Sequence, residues 1–233
     1  MNYNEKVLDV IDEVKRVVIG KDICVAKIMA AIIANGNILM DDVPGVGKTT
    51  MALAFSHAMG LESRRVQFTP DVLPGDITGF TMYDRSTNQF VYKPGAAMCN
   101  LLLADEINRT SPKTQSALLE VMEEGHVTVD GVTYNVPDPF IVIATENPIG
   151  SAGTQLLPDS QLDRFMVCLK LGYPSIENEL DIVKGRTSAN GFGDVNPVIG
   201  ANELRLIRDE VKRVKVSDDV YSYIGQLVVA TRD

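Results

Sequence analysis

The run Asp42-Val43-Pro44-Gly45-Val46-Gly47-Lys48-Thr49-Thr50 has the residue types that hold a polyphosphate. Glycines at 45 and 47 let a backbone wrap phosphates closely, and a helix opening at Lys48 would aim its free N–H groups at them. At this spacing Lys48 reaches the β- and γ-phosphates of a nucleotide, and the Thr49 hydroxyl ligates Mg²⁺. The strict pattern has a further glycine where this chain has Asp42, so the match is carried by Gly47, Lys48 and Thr49. An acid beside phosphates is unfavourable unless its side chain points away. A plain glycine turn into a helix is the simpler alternative. The surroundings favour the phosphate loop, because a short apolar run, Ile38-Leu39-Met40, precedes it and a helical pattern follows.

A second constellation lies downstream. The apolar run Leu101-Leu102-Leu103-Ala104 ends in Asp105-Glu106. A buried strand does not accept two carboxylates cheaply, but its C-terminal end does. There Asp105 can enter a Mg²⁺ shell and Glu106 can polarise an attacking water. An acid pair after a strand is by itself often only a solvated strand end; the phosphate loop upstream makes it a Walker B arrangement. Thr145-Glu146-Asn147-Pro148 ends another apolar run, and a polar residue there could place the water. Asn-Pro is equally turn chemistry, and the segment alone favours the turn. In Leu162-Asp163-Arg164-Phe165, a local ion pair of Arg164 with Asp163 is the ordinary reading. Phosphoryl transfer, however, gains from a cation supplied by a neighbouring subunit. His57 and His126 read as surface or partly buried imidazoles rather than ligands. Lys113 and Arg109 could serve a neighbour's site or a partner, but a solvated helix start is the ordinary reading for both.

These residues need elements to hold them. Val7, Leu8, Ile11, Val14, Val17 and Val18 share one helical face, and a second helix spans 22–34. Buried strands are predicted at 38–40, 66–68, 101–104, 140–144 and 166–169. Between them lie helices from 48 to 59 and from Ser111-Pro112, where serine caps and proline takes the first turn. A hairpin is expected around 84–88, and another around Asp130-Gly131, a type I′ signal. Beyond Tyr173-Pro174 only helical patterns remain, near 175–188, 201–213 and 217–231, the last capped by Ser217. Strands alternating with helices give a parallel α/β sheet.

With these motifs in this order, the chain resembles the AAA+ ATPases, specifically the MoxR family. The resemblance runs through nearly the whole chain and is most specific in VQFTPDVLPGDITG, LLLADEINRTSPKTQSALLEVMEE, FIVIATENPIG and LPDSQLDRF. It implies a five-stranded parallel sheet of order 5-1-4-3-2 over residues 1–172 and a helical lid over 173–233. That lid would be partial, because the family's Gly-x-Ser-Pro-Arg stretch with its sensor 2 arginine is not reached by residue 233. The resemblance makes Asn147 sensor 1, which orients the water, and Arg164 the finger that reaches a neighbour's ATP. It places Val18, Ile19 and Gly20 along the adenine. It further implies a ring, usually a hexamer, and a protein client carrying a von Willebrand factor A domain.

Composition narrows the classes. The 233 residues include 22 Lys and Arg against 31 Asp and Glu, a net charge of −9. That balance argues against a broad nucleic-acid surface, which needs clustered cations. Three scattered cysteines suit a reducing compartment. The N-terminal residues show no signal-peptide pattern, and no apolar run has the length of a membrane span. A cytoplasmic ATPase using ATP and Mg²⁺ is the expectation. Two other readings remain: a nucleotide-dependent binding switch with little turnover, and a DNA-directed motor, which the acidity disfavours.

Overall fold

A computed structural model describes residues 3–43, 45–147, 157–183 and 195–232. In chain order the strands are β1 (Ile38–Asp41), β2 (Ser63–Gln67), β3 (Gly79–Asp84), β4 (Gln89–Pro94), β5 (Leu101–Asp105), β6 (His126–Val129), β7 (Val132–Asn135), β8 (Ile141–Glu146) and β9 (Val167–Leu169). The α-helices are α1 (Tyr3–Val17), α2 (Asp22–Ile33), α3 (Lys48–Ala58), α4 (Pro74–Thr78), α5 (Pro112–Glu124), α6 (Asp159–Leu162), α7 (Ile176–Val183), α8 (Ala201–Val211) and α9 (Asp218–Ala230).

Five strands form one parallel sheet in the order β2-β5-β8-β1-β9. Numbered by appearance, this is the expected 5-1-4-3-2. Central strands with apolar residues on both faces must be covered on both sides, and alternation divides their side chains between two cores. Ile38, Met40, Leu101, Leu103, Ile141 and Ile143 face α1, α2, α3 and α8. Leu39, Leu102, Ala104, Val142 and Ala144 face α5 and the segment around Phe68 and Ile77. All five strands therefore end on the same edge, where a parallel sheet places its ligands.

Local chemistry explains the element ends. Ser111 caps α5, its hydroxyl accepting from Thr114 N–H at 3.3 Å, with Pro112 in the first turn. Asp130 and Gly131 both have positive φ, 50° and 77°, as the type I′ turn between β6 and β7 requires. The β3–β4 hairpin forms around the expected turn, and Tyr92 stacks on Tyr134 of the other hairpin at 3.9 Å.

Several expectations need correction. β2 begins at Ser63 rather than at Val66. On α1, Val10 is fully buried while Leu8 is 58% exposed; the buried stripe passes through 10, 14 and 18, one residue round from where Leu8 lies. Ser217 sits at the N-cap of α9, but its side chain makes no capping bond. The short helices α4 and α6 were not expected, because four or five residues carry no readable period. Within the described residues α7 ends at Val183; the rest of the stretch expected near 175–188 lies outside them. α8 packs back on α2, where the buried Arg208 donates to Ile32 O at 2.9 Å. α9 leaves Val220, Ile224, Leu227 and Val228 exposed.

Candidate functional site

The loop between β1 and α3 lies at the carboxyl edge of the sheet. Gly45 and Gly47 take φ of 87° and 94°, and a Cβ on either would meet nothing within 4 Å. The two glycines therefore serve a conformation that is costly for other residues, and they leave open space in front of the loop. The α3 ladder begins with Met51 N–H to Gly47 O at 2.9 Å, so the amides of Lys48, Thr49 and Thr50 form a free helix N-terminus. Pro44, expected in this cradle, lies outside the described residues.

Two clefts meet at the loop. One, of about 320 Å³, brings together Lys48, Thr49, Asp105, Glu106, Thr145 and Asn147, with Gly45, Gly47 and Thr50 along its rim. The other, of about 520 Å³, is lined by Val17, Val18, Ile19 and Lys21, by Gly45, Val46, Gly47 and Thr50 of the loop and α3, and by Tyr173, Pro174 and Glu179. A polar and a largely apolar compartment sharing one glycine loop suit the phosphates and the base of a nucleotide. Gly20 does not line the second cleft. It turns the chain with φ 73°, and a Cβ there would run into the Asn178 side chain of α7.

The polar cleft is densely bonded. Lys48 Nζ donates to Asp42 O and Glu146 O, the latter at 3.0 Å. Burial pushes its pKa down, against the pull of Asp42, Asp105, Glu106 and Asp41. Asp105 is 5% exposed. It is paid for by Arg65, whose Nε donates to Oδ2 at 2.7 Å, and by the Thr145 hydroxyl, which donates to Oδ1 at 3.2 Å. Glu106 adopts a left-handed backbone with φ 59°, and its N–H donates to the Thr145 hydroxyl at 2.9 Å. Its carboxylate accepts from Asn147 Nδ2 at 2.7 Å and from Arg109 Nη1 at 2.6 Å. Asn108 braces Asn147 from behind, donating to its carbonyl at 3.0 Å. Asn147, which read as turn chemistry from its segment, thus lies directly on Glu106. Asp42 turns its carboxylate toward the Val43 and Gly172 amides, which answers how an acid can stand at that position.

Arg109 also departs from its expected place at a solvated helix start. The reason is the three-residue turn Ile107–Arg109 (a 3-10 helix), which folds it back onto Glu106. Burial raises the Glu106 pKa, but the bonds from Arg109 and Asn147, with the charges of Arg109 and Lys48, outweigh it and hold the carboxyl below its usual value. A carboxyl so depressed stabilises the fold above its unfolded pKa, and that contribution is lost as pH falls through the folded one. Arg109→Ala should therefore move Glu106 titration to higher pH. Carboxyl-carbon NMR would read this, and an unmoved midpoint would remove Arg109 from the account.

Arg164 lines neither cleft. It pairs with Glu123 of α5, not with Asp163. The turn after α6 aims it across the surface toward α5. Sequence reasoning missed Arg65, the polar residue two places before the end of β2. Only the register, which sets Gln67 beside Asp105, brings it within reach of that carboxylate.

The family described as ATPase family associated with various cellular activities (AAA) matches residues 37–167. The chain is 48% identical over 223 residues to "Uncharacterized protein YeaC" of Bacillus subtilis (strain 168), covering 95% of this chain and 69% of that protein. It is 38% identical over 222 residues to "Chaperone MoxR1" of Mycobacterium tuberculosis, covering 94% of this chain and 58% of that one. A crystal structure of a Cytophaga hutchinsonii protein assigned as an ATPase superposes with a TM-score of 0.88 at 39% identity, over 98% of this chain and 69% of the other.

Proposed function

The chain belongs to the MoxR family of AAA+ ATPases, and from that membership we propose that it binds ATP with Mg²⁺ and hydrolyses it to remodel or mature a protein partner. The observation that carries this reading is the convergence of Lys48, Thr49, Asp105, Glu106 and Asn147 in one cleft in front of an open glycine loop.

In this reading Lys48 exchanges its carbonyl partners for the β- and γ-phosphates. Thr49 and Asp105 would hold Mg²⁺. One hydroxyl and one carboxylate suffice where phosphates and water supply the other ligands. The bound ion would offset charge on the transferring phosphoryl group. Glu106, released from Arg109, takes the proton of the attacking water, and Asn147 keeps that water and the carboxylate aligned. Val18 and Ile19 border the adenine. Residues 173–233 serve as a lid on the 1–172 core.

Arg164 belongs to the next subunit's reaction, in a ring that we take to be a hexamer. The client carries a von Willebrand factor A domain, and the setting is the cytoplasm. The acidic balance, at −9, supports a protein partner over nucleic acid. No helix among the described residues is long and apolar enough to cross a membrane.

A second reading, a nucleotide-dependent switch with little turnover, draws on one observation: both carboxylate oxygens of Glu106 are already engaged. Steady-state turnover by the assembled protein separates the two. The test of binding is Lys48→Ala. Losing a charge-assisted contact to phosphate should weaken ATP by about 10- to 100-fold in calorimetry. Undiminished affinity would overturn the assignment of the loop.

A further inference from the structure

Asp42 stands where the strict phosphate-loop pattern has glycine, and Lys21 is a lysine only 8% exposed. Both close on the same residue, Gly172. Asp42 Oδ2 accepts from the Gly172 N–H, while its Oδ1 accepts from Val43 N–H at 2.8 Å. Lys21 Nζ donates to Leu171 O and Gly172 O, each at 2.8 Å. A buried ammonium is costly unless its donors are satisfied, and these two carbonyls take two of its three N–H groups. Gly172 has φ 63°, the left-handed bend that glycine adopts freely. It leads from the sheet into Tyr173 and Pro174, which face the base-sized cleft.

Asp42 has a second attachment. Its main-chain carbonyl accepts from Lys48 Nζ. One residue therefore holds the phosphate-loop lysine by its carbonyl and the entry to the lid by its carboxylate.

We propose that Asp42 and Lys21 form a clasp on Gly172, positioning residues that tie the placement of the lid entry to the state of the phosphate loop. The proposal rests on the nucleotide-binding reading above. When a phosphate takes Lys48 from the Asp42 carbonyl, residue 42 loses one of its anchors. Its carboxylate stays fixed to Val43 and Gly172, so any resetting of the loop is passed to Gly172. From there it reaches Tyr173, Pro174 and α7, whose Asn178 lies against Gly20. Glycine at position 42 would cut this link. Asparagine would keep one acceptor and turn its amide donors toward the other N–H.

The test compares the unaltered chain with Asp42→Gly, Asp42→Asn, Lys21→Met and the double variant Asp42→Gly/Lys21→Met. Amide exchange at Gly172 is followed by NMR, and release of a fluorescent ADP analogue by stopped flow. Exchange at Gly172 in the nucleotide-free protein should rise about tenfold in Asp42→Gly, the loss of one charge-assisted bond, and less in Asp42→Asn. Release should quicken several-fold in Asp42→Gly and in Lys21→Met, and the double variant should be no faster than the faster single one, because both act through one peptide. Unchanged Gly172 exchange in Asp42→Gly, or effects on release that multiply, would overturn the clasp. Should Asp42→Gly not fold, Asp42→Asn and Lys21→Met, which keep the loop's conformational restraint, carry the same comparison. If the unaltered chain binds no analogue, the nucleotide-binding reading fails, and Gly172 exchange decides the clasp alone.

Discussion

Arg164→Ala is expected to bind ATP as tightly as the unaltered protein and, in the assembly proposed above, to hydrolyse it about 10³- to 10⁵-fold more slowly, the span associated with a cation supplied to a phosphoryl transfer. The geometry sets both halves of this expectation. Arg164 touches neither cleft of its own subunit, so binding there does not depend on it. Its side chain is 38% exposed and pairs with Glu123, itself more exposed. An ion pair at such a surface is worth about 0–1 kcal/mol, little enough to be exchanged for a phosphate presented by a neighbour. Mixing Arg164→Ala subunits with Lys48→Ala subunits should restore part of the activity, since some interfaces then combine an intact loop with an intact arginine. If mixed rings form and no activity returns, Arg164 is only the surface partner of Glu123.

Glu106→Gln should retain ATP and lose about 10²- to 10⁴-fold in turnover, the range for removing a positioned general base. The amide keeps the size of the side chain and one acceptor for Asn147 Nδ2 or Arg109. Asp105, held separately by Arg65 and Thr145, keeps its place, where it would ligate Mg²⁺ in the proposed reading. The left-handed backbone at 106, which strains any side chain, is common to both residues and cancels in the comparison. Single-turnover measurement with nucleotide already bound isolates the chemical step. Undiminished hydrolysis there would assign the base to another group.

Much of this protein was legible in its sequence because the signals are local. The parallel sheet follows from apolar runs alternating with helical patterns, and each run became a strand close to its expected limits except β2, which starts three residues early. As candidates, Lys48 and Thr49 stood out by type and by their place where a helix opens after a glycine loop, and Asp105 and Glu106 by their place at the end of a strand. The Asp130-Gly131 turn and the Ser111-Pro112 helix start needed only the preferences of four residues. The strand order 5-1-4-3-2 is different. It came from resemblance, and residue patterns alone do not choose among the ways of ordering five equally apolar strands.

Tertiary structure decided which side chains meet across those strands. Arg65 and Asp105 lie on neighbouring strands whose parallel register no periodicity reveals. Asn147 looked like half of a turn until the end of β8 carried it beside Glu106. Arg109 looked solvated until a single turn of 3-10 helix brought it to the same carboxylate. Asp42 looked like a defect in a phosphate loop until Gly172, 130 positions later, supplied its amide. Arg109 and Glu106 are only three residues apart, and there the unread feature is the turn itself; for the other three the reason is common. Propensity and periodicity act over a few neighbouring residues, so they determine elements and the residues at their ends. Pairing between elements depends on register and on the direction of each side chain, and these are set only when the layers pack.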